Sequence, residues 1–330
     1  MAVDRLVLGP GDVLVLRALG LGDALTGVAA LRGIRRAWPD RRIVLAGPSS
    51  LGGWFVELGL ADAAVPATGL EPLRADGPGG HVAVNLHGRG PQSHRLLTAT
   101  EPSMVVAFAC PPAGHPASDD DVAPAWDAEE HEVRRWCRLV LAAGGPCGPE
   151  DLRLAVAAPR DPGGESPPPV LLHPGAASGS RRWPVARWRA LATALAAAGH
   201  RVVVTGSAGE QSLCAQVVAG VTGARSVAGE LNLPELASLV AGARLLVCGD
   251  TGVAHLATAV ATASVLLFGP TPPATWGPAI DLERHIVLWH GAGAGDPHGD
   301  EVDPALAAVT VDEVATAAEH LLATPAPLLP

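Results

Sequence analysis

Two strand-to-helix junctions in the second half of the chain carry the residues best suited to hold an anion. Gly249-Asp250-Thr251-Gly252-Val253-Ala254-His255-Leu256-Ala257 follows the apolar run Leu245–Cys248 and opens an Ala-rich helical stretch. That order of residues turns backbone N–H groups toward a phosphate, with the Thr251 hydroxyl and the His255 imidazole, one turn on, as further donors. The second junction, Leu171-Leu172-His173-Pro174-Gly175-Ala176-Ala177-Ser178-Gly179-Ser180-Arg181-Arg182-Trp183-Pro184, adds two guanidinium groups to a Gly/Ser loop. A guanidinium can grip phosphate oxygens in bidentate fashion and offset charge on a leaving group, so the two junctions together suit a nucleoside diphosphate. Taken singly, each has a plainer reading: Asp-Thr-Gly caps core helices, and paired surface arginines keep proteins soluble. Trp183 and Trp188 read as packing residues, and His173 as a strand-end histidine.

Elements of alternating type must position these loops. Across the second half the pattern predicts strand Val170–His173, helix Arg187–Ala198, strand Val202–Thr205, helices Gln211–Val218 and Pro234–Ala241, strand Leu245–Cys248, helix Val253–Ala261, strand Ser264–Phe268 and a last helix Val311–Ala323 that could pack on either domain. In the first half, strand Val13–Leu16, a helix from Asp23 to Trp38 with Leu25, Val28, Leu31 and Ile34 on one face, strands Ile43–Ala46, Val82–Leu86 and Met104–Phe108, and helix Glu132–Leu141 indicate a second parallel sheet. Ala157 to Pro169, with five prolines, cannot be a regular element. The predicted organisation is therefore α/β: a Rossmann-like, doubly wound domain over 1–157, a Pro/Gly-rich linker over 158–169, and a second such domain over 170–330.

Bulk composition narrows the partners. A chain of 330 residues, 48% apolar, is long enough for two domains, and its formal net charge of -10 disfavours nucleic acid. Five scattered cysteines without CxxC spacing argue for a reducing, cytoplasmic setting rather than a disulfide framework or structural zinc. The first residues lack a signal-peptide pattern, and the longest apolar stretch, Leu256 to Phe268, is too short to span a bilayer. Arg32, Arg35, Arg36, Arg41 and Arg42 form a basic cluster. It could meet an anionic acceptor or the inner face of a membrane as a peripheral contact, or be an ordinary solvated helix face. Nothing in the sequence fixes an oligomeric state.

Gly20-Leu21-Gly22-Asp23-Ala24-Leu25, His173-Pro174-Gly175-Ala176, Arg181-Arg182-Trp183-Pro184 with Trp188, and Asp250-Thr251-Gly252 with His255 resemble, in order and spacing, the motifs of glycosyltransferase family 9, the heptosyltransferase-like enzymes. The resemblance spans nearly the whole chain and is strongest after residue 170. It implies the GT-B fold, two Rossmann-like domains facing a central cleft, with the nucleotide sugar held mainly by the C-terminal one. It further implies that Asp23 is the general base that deprotonates the acceptor hydroxyl, that Arg181 or Arg182 holds the diphosphate, and that Glu210 contacts the nucleoside ribose. Gly22, Gly175, Ala176, Ser178, Asp250, Thr251, Gly252 and His255 complete the donor set, and His87 and Arg89, in Asn85-Leu86-His87-Gly88-Arg89, correspond to an acceptor loop. The family usually carries Lys where this chain has Arg181, so the charge is kept and the point geometry of an ammonium is not. A carboxylate in a first helical turn is held ionised by the dipole, which suits a base and equally suits a cap.

The expected activity is inverting transfer of a sugar, heptose being the one the resemblance suggests, from a nucleoside diphosphate to a glycan or glycolipid acceptor, with no cofactor and no metal. Asp119-Asp120-Asp121 has DxD spacing but follows no buried strand, and His290, Asp296, His298 and Asp300 show no ligand spacing. A nicotinamide dehydrogenase is disfavoured because Leu25 stands where the dinucleotide fingerprint needs its third glycine. A sugar-nucleotide epimerase and a non-catalytic sugar-nucleotide-binding protein would use the same loops and stay open on the sequence.

Overall fold

The computed structural model describes residues 6–73, 75–117, 123–159 and 167–324. Asp119-Asp120-Asp121 and most of the Pro-rich stretch 158–169 lie outside them. By internal contacts the chain divides into two compact units, Met1–Leu152 and Arg153–Pro330. The segment after Leu152 packs with the second unit: Leu154 N–H donates to Ala259 O (2.8 Å), and the Ser238 hydroxyl donates to Ala157 O (2.7 Å).

The first unit contains β1 (Leu6–Val7), β2 (Asp12–Leu16), β3 (Arg42–Gly47), β4 (Ala63–Pro66), β5 (Ala75–Asp76), β6 (Val82–Asn85) and β7 (Met104–Val106). Five of them form a parallel sheet in the order β4-β3-β2-β6-β7, while β1 and β5 pair separately. Runs such as Val13-Leu14-Val15-Leu16 have no exposed residue, as a parallel sheet covered on both faces requires. The single helix expected from Asp23 to Trp38 is two, Leu21–Thr26 and Val28–Ala37, separated at Gly27. A side chain at Gly27 would stand 3.3 Å from Ala24 O and 3.4 Å from Arg17 Nε. The Asp23 carbonyl, which a continuous helix would offer to the Gly27 N–H, accepts instead from the Thr26 hydroxyl (2.9 Å) and Arg17 Nε (2.8 Å), and Gly27 N–H turns to Ala24 O (3.1 Å), which accounts for the break.

The second unit holds β8 (Val170–His173), β9 (Val202–Val204), β10 (Ala224–Ser226), β11 (Leu245–Gly249), β12 (Ser264–Leu267) and β13 (His285–Leu288), all parallel, in the order β10-β9-β8-β11-β12-β13. Sequence patterning anticipates β8, β9, β11 and β12; β10 and β13 lie at the sheet edges, where half-exposed short runs give little signal. The core on one face joins the helix Val185–Ala197, through Trp188, Leu191 and Leu195, to the last helix Val311–Ala323, through Val314, Ala318 and Leu321. The last helix thus belongs to the second unit. Trp183 and Trp188 are buried in this core, edge to face at 5.2 Å, and pack as expected. Among the described residues no helix is long and apolar enough to cross a membrane.

The basic cluster of the first unit is largely compensated. Arg35 pairs with Asp62, Arg36 with Asp151 (2.6 Å) and Arg42 with Asp12 (2.9 Å), and Arg32 donates to the Asp151 carbonyl. These guanidinium groups hold the carboxyls of Asp12, Asp62 and Asp151 below the usual range. The arrangement is a network of surface ion pairs.

Candidate functional site

Strand order decides where each unit can hold a ligand. In the second unit the chain runs outward from β8 through β9 to β10, then returns to the other side of β8 and continues through β11, β12 and β13. The loops leaving β8 and β11 therefore diverge at their carboxyl ends, and the crevice at such a switch point is where open α/β sheets bind ligands. His173 and Cys248, the residues that end the predicted strands, are register partners. Both phosphate-suited junctions thus emerge side by side.

Contacts between them are direct. Arg181 Nη1 donates to Asp250 O (3.4 Å) and its Nε donates to Ser178 Oγ (3.2 Å), so one guanidinium spans the two loops. Arg182 is exposed, with Nε donating to Ala176 O (2.9 Å). Thr251 is the N-cap of the helix Gly252–Ala259, which places the Thr251 and Gly252 amides at its open end. His255, in the next turn, stands edge-on to the Trp276 ring at 5.8 Å.

Glu210 reaches the same crevice from the loop after β9. Its carboxylate accepts from the Ser207 N–H and hydroxyl, both at 2.8 Å, closing a capping box. The carboxylate also lies against Gly175: a Cβ there would run into Glu210 Oε1. A side chain at 175 would have to push the Glu210 carboxylate from this place. His173, behind them, is buried and shares a hydrogen bond with Thr205 Oγ1 (2.9 Å); burial pushes its pKa down, against the pull of Glu210.

Sequence reasoning missed a strap that holds the Ser178–Arg181 turn. After β13 the chain crosses back so that Ser180 N–H donates to Gly299 O (2.9 Å), Asp303 N–H to Ser180 O (3.1 Å) and Ser178 Oγ to Pro297 O (2.6 Å). A side chain on Gly179 would collide with the Asp300 carbonyl. Those partners are backbone atoms of a Gly-rich loop, for which composition gives no signal. Of the residues weighed as metal ligands, His290 is instead bonded to Glu313 (2.8 Å), and Asp296 caps the His298 amide (2.9 Å).

The first unit repeats the topological device. Its order reverses between β2 and β6, and Leu16 is the register partner of Asn85, so the turn carrying Gly22 and Asp23 and the loop carrying His87 and Arg89 leave adjacent strands. Gly20 is the N-cap of the helix Leu21–Thr26, and Asp23 is its third residue, with Oδ2 3.9 Å from where a Cβ on Gly20 would stand. The carboxylate is therefore in the first turn without being the side-chain cap. Ala18 N–H donates to His87 Nδ1 (3.2 Å), which puts the ring proton of the neutral imidazole on Nε2. Burial, helped by the charge of Arg17, lowers the His87 pKa to about 4. Arg89 is exposed.

Comparison with known proteins agrees with this architecture. The family model for glycosyltransferase family 9 (heptosyltransferase) matches residues 100–295, more than half of the chain. A glycosyl transferase family 9 structure from Veillonella parvula superposes with a TM-score of 0.75 at 18% identity, covering 96% of this chain and 98% of that one. The E. coli ADP-heptose LPS heptosyltransferase II gives 0.72 at 18% identity, covering 94% and 98%. E. coli heptosyltransferase WaaC with ADP gives 0.69 at 17%, covering 94% and 99%. No curated protein sequence matches. With two parallel α/β sheets of Rossmann type, each reversing its strand order where the motif residues gather, and with the family model spanning most of the second, the chain belongs to glycosyltransferase family 9, the heptosyltransferase family, on a GT-B fold.

Proposed function

We propose that the protein is an inverting, metal-independent glycosyltransferase that moves a sugar from a nucleoside diphosphate to a hydroxyl of a glycan or glycolipid. Asp23 takes the proton of that hydroxyl while its oxygen bonds to the anomeric carbon, and the bond from that carbon to the diphosphate oxygen breaks with inversion. The negative charge left on the diphosphate is taken up by Arg181, Arg182 and the Thr251 and Gly252 amides. Those fixed positive groups supply what a divalent cation would otherwise provide. Glu210, anchored by Ser207 and pressed against Gly175, accepts from the ribose hydroxyls, and Ser178, Ala176 and His255 line the phosphates. His87 and Arg89 hold the acceptor, with His87 Nε2–H as a donor.

The observation that carries this reading is the Arg181 guanidinium bonded to both Ser178 and the Asp250 carbonyl at the β8/β11 switch point. It favours Arg181 over Arg182 as the central diphosphate contact. ADP-heptose is the first donor to test, because two structural relatives are described with ADP or as acting with ADP-heptose.

A thermal-shift screen of nucleoside diphosphate sugars should raise the melting temperature for at least one of them, since a ligand of the folded state stabilises it. Asp23→Asn should then keep that shift and lose about a hundredfold or more of transfer. Unchanged turnover removes Asp23 as the base, a response to dinucleotides alone returns the dehydrogenase reading, and nucleotide release without any acceptor favours an epimerase.

A further inference from the structure

We infer that Arg17 is a positioning residue, a single buried guanidinium that locks the Asp23 turn and the His87 loop into one fixed geometry. The inference rests on the reading of Asp23 as the base.

Arg17 is the first residue after β2 and only 4% exposed. A buried guanidinium is tolerated when its donors are met, and these are met by four partners far apart in the chain. Nε donates to Asp23 O (2.8 Å), Nη1 to Leu86 O, and Nη2 to both Thr26 Oγ1 (2.9 Å) and Glu132 Oε1 (3.3 Å). The guanidinium carbon lies 4.7 Å from the centroid of the Trp136 ring. Glu132 is itself fixed by Arg135 and by Trp136 Nε1 (2.7 Å). The plane of the Arg17 fork is therefore set from one side by the helix Glu132–Ala142, and from that plane it holds the two catalytic-edge loops.

The helix that carries Asp23 needs such an anchor. It has six residues, no side-chain cap, and ends at Gly27; a helix this short does not hold itself. Gly27 N–H donates to Ala24 O (3.1 Å), and the Asp23 carbonyl takes donors from Arg17 and from Thr26 (2.9 Å) instead. On the neighbouring loop Leu86 O is gripped by the same fork, and His87 is tied back through its Nδ1 to Ala18, the residue after Arg17. A base acts only within hydrogen-bond reach of the proton it removes, so the relative placement of the Asp23 main chain and the acceptor loop sets the rate without altering donor affinity. Lysine would keep the charge beside Glu132 but lose the fork that reaches both carbonyls.

The test compares Arg17→Lys, Thr26→Val and Asp23→Asn in the full chain. Transfer is measured with the donor and acceptor that give turnover, and the His87 ring nitrogens are followed by 15N NMR, assigned with His87→Gln. Arg17→Lys is expected to leave the donor KM within about twofold, lower kcat about tenfold or more, and move the His87 nitrogen shifts. Full kcat with unmoved His87 resonances overturns the inference. If Arg17→Lys does not fold, Thr26→Val decides: it removes one anchor without changing a charge, and about a threefold loss in kcat with displaced His87 shifts is expected, while no change in either overturns it. Asp23→Asn should lose about a hundredfold or more of transfer and leave the His87 spectrum as in the parent. Retained transfer there refutes the base, and the Arg17 inference then stands or falls on the His87 spectrum alone.

Discussion

At the scale of single residues, Arg181 and Gly175 make the sharpest demands. A guanidinium carries five N–H donors, and the bonds to Ser178 and Asp250 O aim the fork at the crevice between their loops. Replacing Arg181 by Ala should weaken ADP binding, measured by calorimetry, by about 10- to 100-fold, the range for a charged hydrogen-bonding partner. Arg182→Ala should cost less; the reverse ranking would transfer the central role to Arg182. Gly175→Ala tests the donor crevice by shape alone, since the added methyl must displace the Glu210 carboxylate from its place against the loop. About a tenfold loss of ADP affinity is expected, and because the ribose is common to them, a similar loss for any other nucleoside diphosphate that binds. Legibility at this scale was uneven. Arg181 and the Asp250-Thr251-Gly252 turn stood out because a guanidinium on a Gly/Ser loop and amides at a strand-to-helix turn suit phosphate, while Glu210 was marked only by the family resemblance. Arg17 did not, because its partners lie 6, 69 and 115 positions away and two of them are main-chain carbonyls that no sequence pattern displays.

At the scale of elements, strands buried on both faces announced themselves and the rest was harder to see. Val202–Val204 and Leu245–Gly249 are unbroken apolar runs because helices cover both sides of their sheet, whereas His285–Leu288 at the edge is half exposed and reads like a loop. The break at Gly27 was invisible for another reason: the apolar spacing of Leu25, Val28, Leu31 and Ile34 continues across it, and the Arg17 Nε that donates to the Asp23 carbonyl comes from outside the helix. The last helix shows how an element end can be tested. Thr310 caps it, donating its hydroxyl to Glu313 Oε2 (2.7 Å) while its own N–H reaches the same oxygen (2.7 Å), which lowers the Glu313 pKa. Because the helix contributes Val314, Ala318 and Leu321 to the core, Thr310→Ala should reduce stability to urea by about 1 kcal/mol without affecting ADP affinity. A change below about 0.3 kcal/mol would show that tertiary packing alone holds that end.

For the whole molecule, buried histidines set the response to acid. His285 accepts or donates through Nδ1 with Ser264 Oγ (2.8 Å) inside the second unit, and burial lowers its pKa to about 4, as it does for His87 in the first unit. Both groups titrate near 6.5 when unfolded, so the unfolded chain binds protons first as pH falls. The stability they contribute is complete above about pH 6.5 and is lost progressively as pH drops from there toward about 4, by at most about 1.4 kcal/mol per pH unit for each histidine. The carboxyls of Asp12, Asp62 and Asp151, held low by their arginines, add a further loss only at lower pH. A melting-temperature series from pH 7.5 to 4.5 should therefore already fall between about pH 6.5 and 5, and His285→Gln should flatten that slope for the second unit. A flat profile to pH 5 in the parent protein would contradict the burial of these rings.

The backbone strap from Pro297 to Asp303 links the loop after β8 to the helices that follow it. It is bound to the Ser178–Arg181 turn by three hydrogen bonds and lies just past residue 295, where the family match stops. In the reading proposed above it meets no ligand, yet it decides how stiff the arginine turn is before one arrives. Affinity for the nucleotide can thus drift, through changes in a stretch that family motifs ignore, while every contacting side chain stays the same.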